Sequence, residues 1–498
     1  MTIASLNRGD RRIRSIVIVG GGTAGWLAAS VLARALHGQG VMITVIESPD
    51  IATVGVGEAT IPPILELLNF LSINPADFIK NTQATYKLGI KFHDWRRPGS
   101  AYWHPFGTFG QPVNRRPFFH AWLKAKAQGL APKFNDFSLC AALGDADRFA
   151  FPATQGAGAG LRYALHFDAV LVARYLRAYA EQLGVVRLEG TVAGASQAAN
   201  GFIDQLCFRD GTQLAADFYI DCSGFRGVLI EDVLKTGYSD WTHHLPCDRA
   251  VAMPTAVAEP RPPYTQATAR PAGWQWRIPL QNRTGNGYVY SSAHLCDQGA
   301  VDDLVAQAGT PIADPRFLRF TTGRRNLFWN RNCVTLGLAS GFLEPLESTS
   351  IHLVISGLYN LLDHFPDRDF EPRNIAAYNR ELGDEMVHIR DFIILHYALS
   401  ERDDSAFWRD CRAMALPDSL MERIELYRSN GRLPNRPGEL FTDHSWFYVF
   451  DGMGVVPERY DPLMDVVGGD QLRDILAGLA GETAAAVRGA RPHDSYFG

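Results

Sequence analysis

The residues with the clearest chemical meaning form a glycine-rich turn near the start of the chain. Residues 20–25 (GGGTAG) fit the pattern G-x-G-x-x-G, directly after an apolar stretch and directly before an alanine- and leucine-rich one. In this pattern the glycines permit a tight turn, close approach of backbone N–H groups to a pyrophosphate, and close packing of helix on strand. Glu47 ends the next apolar stretch, where a carboxylate accepts hydrogen bonds from ribose hydroxyls. This order predicts a dinucleotide site; a glycine-rich turn without a ligand is the alternative.

Later glycine turns bear on whether the dinucleotide is NAD or FAD. No second fingerprint follows a clean strand, and the glycines at 156–160 are interpreted as a loop. Two further turns follow apolar stretches, at 221–224 (DCSG) and 336–341 (LGLASG). A long cofactor needs such distant strand ends, because FAD places its isoalloxazine far from its adenosine. We therefore predict a flavoprotein that has no separate site for NAD(P)H.

Composition excludes several classes of protein. The chain carries 48 Lys and Arg against 53 Asp and Glu, a net charge of −5, which does not favour a nucleic-acid partner. With 46% hydrophobic and 20% charged residues, the composition is that of a globular protein and not of a disordered chain or coiled coil. The 7 cysteines lie far apart without Cys-x-x-Cys, so we expect neither disulfides nor a metal site, and a cytoplasmic location.

One segment imitates a targeting signal. Arg11 and Arg12 precede residues 16–33, a stretch without charge, and residues 33–35 (ARA) resemble a cleavage site. Three adjacent glycines inside the stretch would harm a signal core or membrane helix, whereas a buried strand followed by a buried helix explains the same apolarity. No other segment approaches the roughly 20 apolar residues that a span needs. We expect no membrane association.

The elements that must position these residues follow from hydrophobic periodicity. Residues 15–19 and 42–47 are predicted to be buried strands joined by a helix over about 24–36, which is a βαβ unit. We predict helices, then strands from Thr85, within 60–98. The other predictions are helices at 166–183, 349–362 and 375–430, β-rich stretches at 185–221, 270–292 and 333–339, and a loop-like region at 430–462.

Together with the glycine-rich turn, here extended to residues 20–26 (GGGTAGW), four further motifs stand in the sequence: 55–62 (GVGEATIP), 86–89 (YKLG), 274–279 (WQWRIP) and 342–349 (FLEPLEST). With them the chain resembles the flavin-dependent halogenases, in the branch that acts on tryptophan and free indoles. The motif at 274–279 is the most specific, because three bulky positions and a proline rarely coincide in so short a stretch. The resemblance extends from residue 16 to about 460.

The resemblance implies an α/β fold with a Rossmann-type, FAD-binding core like that of single-component flavin monooxygenases. Residues 1–375 would form this core with a mixed β-sheet substrate region, and 376–498 a mainly helical cap packed on it. FAD would lie near 15–60, 217–227 and 333–350. The predicted cofactor-binding residues are Gly20, Gly22, Thr23, Ala24, Gly25, Glu47, Gly57 and Leu338.

The resemblance also implies the chemistry. The family makes hypohalous acid from FADH2, supplied by a separate flavin reductase, with oxygen and bromide or chloride, and a tunnel leads the oxidant to a lysine. Lys87, in the motif at 86–89 (YKLG), matches this lysine. Lysine suits the role because an ammonium donates strongly and a desolvated amine is nucleophilic. Lys91, which strand alternation would put on the same face, is the residue to distinguish from it. An ordinary surface lysine is the alternative interpretation of Lys87.

Glu347 matches the carboxylate that stabilises positive charge on the attacked ring and then accepts its proton. Glu344, three residues earlier, could be confused with it, and a carboxylate that favours a helix N-terminus is the alternative. Halide would bind the backbone N–H groups of Thr349 and Ser350. The family usually has glycine at the second of these positions, and a serine restricts the backbone there.

Aromatic residues are expected to line the tunnel and the substrate site. Trp274 and Trp276 match the tunnel wall that keeps the substrate away from the flavin, although two core tryptophans of a strand would look the same. His104 and Phe106 match an aromatic shelf that stacks on an indole, with a structural role as the alternative for His104. The predicted substrate and tunnel residues are Ile61, His104, Phe106, Trp274, Trp276, Ile278, Pro279 and Trp446.

The segment before Trp446 indicates the substrate. Tryptophan halogenases carry there a long segment, rich in tyrosine and acids, that binds the amino acid's charges, whereas residues 431–441 here lead almost directly to 445–448 (SWFY). We therefore expect a small indole-type aromatic, free indole or an indole within a larger molecule, rather than tryptophan. An FAD-dependent aromatic hydroxylase is the alternative function; it would oxidise NAD(P)H without a reductase.

Overall fold

A six-stranded sheet, here called the nucleotide sheet, carries the glycine-rich turn. The computed structural model describes residues 10–49, 57–130, 133–434 and 436–497. The sheet order is Trp329–Asn330, Cys333–Thr335, Phe218–Asp221, Ser15–Val19, Met42–Glu47, Val186–Glu189. All neighbours pair in parallel except the first two, which form a hairpin.

The central strand of this sheet is buried on both faces. Ile16 and Ile18 belong to the main hydrophobic core, while Val17 and Val19 belong to a second, smaller one. Burial on both faces explains why the stretch is apolar without alternation. The predicted bounds of this strand and of the next, Met42–Glu47, are confirmed.

A seven-stranded mixed sheet forms the second layer. Its order is Arg316–Arg319, Arg249–Thr255, Thr284–Tyr290, Gly273–Pro279, Thr265–Arg270, Gly89–His93, Ala101–Pro105. Only Thr265–Arg270 and Gly89–His93 pair in parallel. A small sheet in the order Gly57–Ala59, Ala164–Asp168, Thr85–Lys87 lies beside it, tied on by the Thr85 hydroxyl, which donates to the Pro279 carbonyl at 2.6 Å.

Helices cover these sheets and form most of the C-terminal part. In chain order they are Thr23–Ala35, Pro63–Phe70, Pro75–Thr82, Phe118–Ala127, Leu139–Asp145, Ala169–Gln182, Asp297–Ala308, Ser350–Asp363, Pro372–Ala398, Ala406–Ala413, Asp418–Asn430, Asp443–Gly452 and Gly469–Gly489. The remaining strands are Arg148–Phe149, Val192–Gln197, Ile203–Phe208, Gln213–Ala215, Tyr238–Asp240, Gly323–Arg325, Gly341–Phe342 and Arg491–Pro492. The fold is thus the expected α/β class. None of the helices in the described part of the chain is long and apolar enough to cross a bilayer.

Three local expectations were wrong. The helix expected over 166–183 begins at Ala169, because residues 166–168 belong to the strand Ala164–Asp168. The region 430–462 contains the helix Asp443–Gly452, whose residues 446–450 are all buried and therefore show no polar face in the sequence. The strand expected over 333–339 ends at Thr335, because Gly337 has a φ of +65° and starts a single turn of 3₁₀-helix.

The division at residue 375 stays a prediction. One hydrophobic cluster contains residues from both sides of it, for example Ile355 and Phe392. The strand Arg491–Pro492 also pairs with Arg148–Phe149, so the last residues described return to the first part of the chain.

Candidate active site

The glycine-rich turn has the close contacts and the open space that the pattern predicts. Gly20 has a φ of +118°, and a Cβ there would lie 2.2 Å from the Cys222 carbonyl oxygen. A Cβ on Gly25 would lie 1.8 Å from the Gly20 oxygen, whereas no atom lies within 4 Å of a Cβ built on Gly22. The helix Thr23–Ala35 begins here without a side-chain cap. Its first N–H groups and the space before them fit a pyrophosphate.

The three predicted FAD segments meet at this edge of the nucleotide sheet. The turn after Phe218–Asp221 packs on Gly20 through Cys222, and a Cβ on Gly337 would lie 2.8 Å from the Cβ of Ala24. Leu338 follows, partly exposed. Carboxyl ends of parallel strands form the usual ligand edge of such sheets. The described residues therefore fit an FAD, whose binding by these groups stays a prediction.

Glu47 stands at the end of its strand, but arginines already contact it. Its carboxylate forms an ion pair with Arg187, and Arg177 lies 3.7 Å away. No local pattern in the sequence indicates either contact. Gly57 lies elsewhere, in the small sheet, and a Cβ on it would lie 3.4 Å from Ile278. Residues 55 and 56 of the motif GVGEATIP fall outside the described residues.

Lys87 is completely buried, which excludes the surface-lysine alternative. Its Nζ donates to the Thr60 carbonyl at 2.9 Å and to the Ser348 hydroxyl at 2.8 Å, and lies 5.1 Å from the centre of the Phe106 ring. Burial lowers the pKa of Lys87 to about 7, although the nearby Glu347 carboxylate opposes this shift. An ammonium has three donors, so one donor stays available; a neutral amine that donates both hydrogens keeps its lone pair.

Lys91 does not share the face of Lys87, contrary to the expectation from strand alternation. Lys87 ends the strand Thr85–Lys87 of the small sheet, whereas Lys91 lies in Gly89–His93 of the mixed sheet. The Lys91 Nζ forms an ion pair with Asp145 at 2.6 Å near the surface. The chain changes sheets between the two lysines, so a single alternation does not run through both.

Glu347 lies between two histidines. His104 Nδ1 and Glu347 Oε2 are 2.6 Å apart and hydrogen-bonded. His396 Nε2 lies 2.9 Å from Oε1 without hydrogen-bond alignment, and its Nδ1 lies 2.6 Å from the Tyr102 hydroxyl. Burial raises the pKa of Glu347, but the two histidines outweigh burial and hold it at about 2. Glu347 is therefore a carboxylate at neutral pH, and its Oε1 has no aligned partner among the described residues.

The predicted halide amides stand at the start of the helix Ser350–Asp363. Thr349 is its N-cap, and no hydrogen bond among the described residues uses the backbone N–H of Thr349 or Ser350. The backbone restriction expected from serine does not arise, because Ser350 is helical. The positive φ, +60°, falls on Ser348, whose hydroxyl accepts from Lys87.

The two tryptophans of the motif at 274–279 face different partners. Trp274 is 1% exposed, and its indole N–H donates to Glu344 Oε2 at 2.8 Å. The Trp276 ring lies over Gly287, where a Cβ would come within 2.0 Å of it. The core-tryptophan interpretation thus describes the burial of Trp274; a role of either ring in a tunnel wall stays a prediction.

An aromatic cluster lies next to Glu347. The His104 ring is 5.3 Å from Phe392 and 5.8 Å from Phe441, and Phe392 stacks on Phe441 at 4.0 Å. Trp446 meets Phe392 edge-on at 4.9 Å. Phe392 and Phe441, together with His396 and Tyr102, were not predicted from the sequence, because each is one aromatic residue among many. The remaining predicted residues Ile61, Phe106, Ile278 and Pro279 are buried as well.

In the part of the chain that is described, no group of three or more His, Cys, Asp or Glu side chains could hold a metal ion. All 7 cysteines are free thiols.

Comparison with known proteins identifies relatives over nearly the whole chain. The profile of the tryptophan halogenase family matches residues 15–469. The tryptophan 6-halogenase of Streptomyces toxytricini is 36% identical, over 90% of this chain and 91% of the relative. The tryptophan 7-halogenase of Lentzea aerocolonigenes is also 36% identical, over 91% of both chains.

Solved structures agree. A flavin-dependent halogenase from Xanthomonas campestris superposes with a TM-score of 0.94 at 44% identity, over 98% of both chains. A flavin-dependent halogenase from a Brevundimonas species gives a TM-score of 0.94 at 42% identity, over 98% of this chain and 99% of the other.

Proposed function

We propose a substrate and a mechanism from the premise that this chain belongs to the tryptophan halogenase family of flavin-dependent halogenases. It is thus an FADH2-dependent halogenase that uses FAD and halide. Enzymes of this kind generally need a separate flavin reductase and an aromatic substrate.

FAD would bind at the glycine-rich turn, with Gly20, Gly22 and Gly25 admitting the pyrophosphate and the helix N-terminus facing it. When bound in reduced form, the cofactor supplies hypohalous acid from oxygen and halide. Halide would bind at the amides of Thr349 and Ser350, which have no acceptor among the described residues. We place the enzyme in the cytoplasm, because its seven thiols are unpaired.

Lys87 receives the oxidant and holds it near the substrate. Thr60 and Ser348 fix its Nζ, so the one remaining donor or lone pair has a defined direction. A pKa of about 7 gives both the ammonium, which donates to hypohalous acid, and the amine, which attacks its halogen with release of water. Complete burial prevents water from competing with either interaction.

Glu347 acts on the ring. When a carbon–halogen bond forms on the aromatic substrate, the ring becomes positive and a carboxylate nearby lowers its energy. The Glu347 Oε1 atom, without an aligned partner among the described residues, then accepts the ring proton and restores aromaticity. His104 bonds to Oε2 and His396 Nε2 lies 2.9 Å from Oε1, so the carboxylate has a fixed orientation.

The substrate is an indole without an amino-acid head group. The aromatic cluster of His104, Phe392, Phe441 and Trp446 offers stacking surface next to Glu347. One buried ion pair borders this cluster. Arg423 lies 4.1 Å from the centre of the Trp446 ring, and its guanidinium forms an ion pair with Glu439 at 2.7 Å. This arginine is therefore already paired and does not offer a free charge to the carboxylate of tryptophan.

The observation that carries the proposal is the joint placement of Lys87 and the loop 347–350 through the Lys87–Ser348 hydrogen bond. The test is reconstitution: protein, FAD, NADH, bromide or chloride, and a panel of indoles, with and without a flavin reductase, analysed by mass spectrometry. We expect halogenated indole only with the reductase. Hydroxylated product, or NADH oxidation by the protein alone, would instead identify a hydroxylase.

A further inference from the structure

Glu344 is a buried carboxyl that has no part in the proposed mechanism. It is 0% exposed and immediately precedes the turn Pro345–Glu347, which ends in the proposed base. Burial raises its pKa to about 7, and the hydrogen bonds from Trp274 and Tyr397 oppose this shift. Its surroundings therefore differ sharply from those of Glu347, three residues later.

Both donors of Glu344 converge on one oxygen. Its Oε2 accepts from the Trp274 indole N–H at 2.8 Å and from the Tyr397 hydroxyl at 2.7 Å. Oε1 has no partner among the described residues. Trp274 lies in the strand Gly273–Pro279 and Tyr397 near the end of the helix Pro372–Ala398, so one carboxyl oxygen joins the mixed sheet to the long helix.

The same end of the long helix holds both carboxyls. His396 lies 2.9 Å from Glu347, and its neighbour Tyr397 donates to Glu344. Trp274 also meets Trp95, which contacts both His396 and Tyr397 edge-on. A displacement of Glu344 would thus disturb the proposed tunnel wall and the proposed base together.

We propose that Glu344 is a positioning residue of the halogenation reaction, fixing the Trp274 indole and the turn that carries Glu347 so that the oxidant reaches Lys87 instead of escaping. The inference rests on the proposed function. Because both donors need only one acceptor oxygen, an amide at this position serves as well as a carboxyl.

Coupling, measured as halogenated indole formed per FADH2 oxidised, tests this role. Glu344→Gln should keep coupling within about twofold of wild type, because the amide oxygen accepts both hydrogen bonds. Glu344→Leu should lower it about tenfold, while FADH2 oxidation continues and hypohalous acid appears in solution, where an added chlorination or bromination trap detects it. Trp274→Phe removes only the donor and should also lower coupling.

The controls separate positioning from general packing. Trp408 is another fully buried tryptophan of this region, whose indole N–H donates to the Arg270 carbonyl at 2.9 Å and not to Glu344. Trp408→Phe should therefore stay coupled. The double variant Glu344→Leu/Trp274→Phe should be no worse than Glu344→Leu alone, because both changes remove the same interaction. Near-UV circular dichroism checks folding, and Trp274→Phe keeps the test valid if Glu344→Leu does not fold.

Several outcomes would overturn the inference. Full coupling in Glu344→Leu or in Trp274→Phe would remove any positioning role. Loss of turnover in a folded Glu344→Gln would indicate that Glu344 is an acid–base group. A loss of coupling in Trp408→Phe as large as that in Trp274→Phe would indicate that the effect comes from packing and not from the hydrogen bond to Glu344. A wild type that forms no halogenated indole would contradict the proposed function itself. If the wild type is coupled and Glu344→Leu and Trp274→Phe are equally coupled, only this inference is contradicted.

Discussion

Two buried ionisable groups with opposite environments define the site at the scale of residues. The pKa of Lys87 falls to about 7 through burial, whereas histidines on both sides hold the pKa of Glu347 at about 2. Near neutral pH, Lys87 can therefore act as a nucleophile or donor, and Glu347 is an anion before it takes up a proton. Separated pKa values of this kind are typical of paired catalytic roles.

Lys87→Ala should abolish halogenated product while FAD binding and FADH2 oxidation persist, because Lys87 acts after the oxidant has formed. Lys91→Ala is the matched control, since this lysine pairs with Asp145 near the surface and should leave product formation unchanged. Product by mass spectrometry and flavin oxidation by absorbance give the two readouts. Retention of half the product in Lys87→Ala, or loss of product in Lys91→Ala, would refute the assignment.

Glu347→Gln should lower turnover about a hundredfold or more, because the amide neither stabilises ring charge as an anion nor accepts a proton. The change keeps the size of the side chain, so the affinity for indole should change little. Steady-state kinetics with varied indole separates the two effects. Undiminished turnover would remove Glu347 from the mechanism.

The pKa of Lys87 also predicts how stability depends on pH. The folded chain loses the Lys87 proton at about pH 7 and the unfolded chain near the usual 10.5. Between these two pH values the unfolded state binds more protons than the folded state. The free energy of unfolding therefore rises with pH, by about 1.4 kcal/mol per pH unit from this residue. Lys87→Met should remove that contribution, and Lys91→Met should not. Urea unfolding at several pH values checks this; equal slopes in wild type and Lys87→Met would show that the lysine keeps its proton in the fold.

At the scale of elements, the proposed halide site lies at the start of the helix Ser350–Asp363. Because Ser350 is helical and the positive φ falls on Ser348, the serine should impose no strain. Bromide should be used at least as well as chloride, since bromide is easier to oxidise. Ser350→Gly should change the ratio of brominated to chlorinated product less than about twofold. Competition at equal halide concentrations measures it, and faster chlorination than bromination by the wild type would contradict the expectation.

The sequence predicted the elements whose pattern is local. The strands Ser15–Val19 and Met42–Glu47 matched because four successive residues of each, 16–19 and 43–46, are buried and nearly all apolar. Lys91 was misplaced because no local signal marks the change of sheet before Gly89–His93. The helix Asp443–Gly452 was missed because its aromatic residues are buried together and show no helical periodicity.

The site divides in the same way. Lys87 and Glu347 stand in motifs that the sequence displays directly, and so do Thr60 and Ser348, the partners of Lys87. His396 does not: it contacts Glu347 from 49 positions away, so only the folded chain brings the two together. Motifs therefore indicated the proposed reacting groups and the partners of Lys87, while the histidine of the long helix that lowers the pKa of Glu347 required the structure.

At the scale of the whole molecule, the proposed cofactor site and the proposed catalytic lysine lie in different sheets. The glycine-rich turn lies at the edge of the nucleotide sheet, whereas Lys87 lies in the small sheet that the Thr85 hydroxyl ties to the mixed sheet. In the proposed mechanism the oxidant forms at the flavin ring, so it would have to be confined on its way to Lys87. The aromatic cluster beside Glu347 is contributed largely by the C-terminal part, through Phe392, Phe441 and Trp446.

The central claim is that this halogenase acts on an indole that lacks an amino-acid head group. The most direct measurement is a competition between free indole and tryptophan at equal concentration, with reductase, FAD, NADH and bromide. Indole should be halogenated preferentially, at C3, because a ring held mainly by stacking reacts at its most electron-rich carbon. Preferential halogenation of tryptophan on its benzene ring would contradict the claim and would mean that another part of the chain binds the charges of the amino acid.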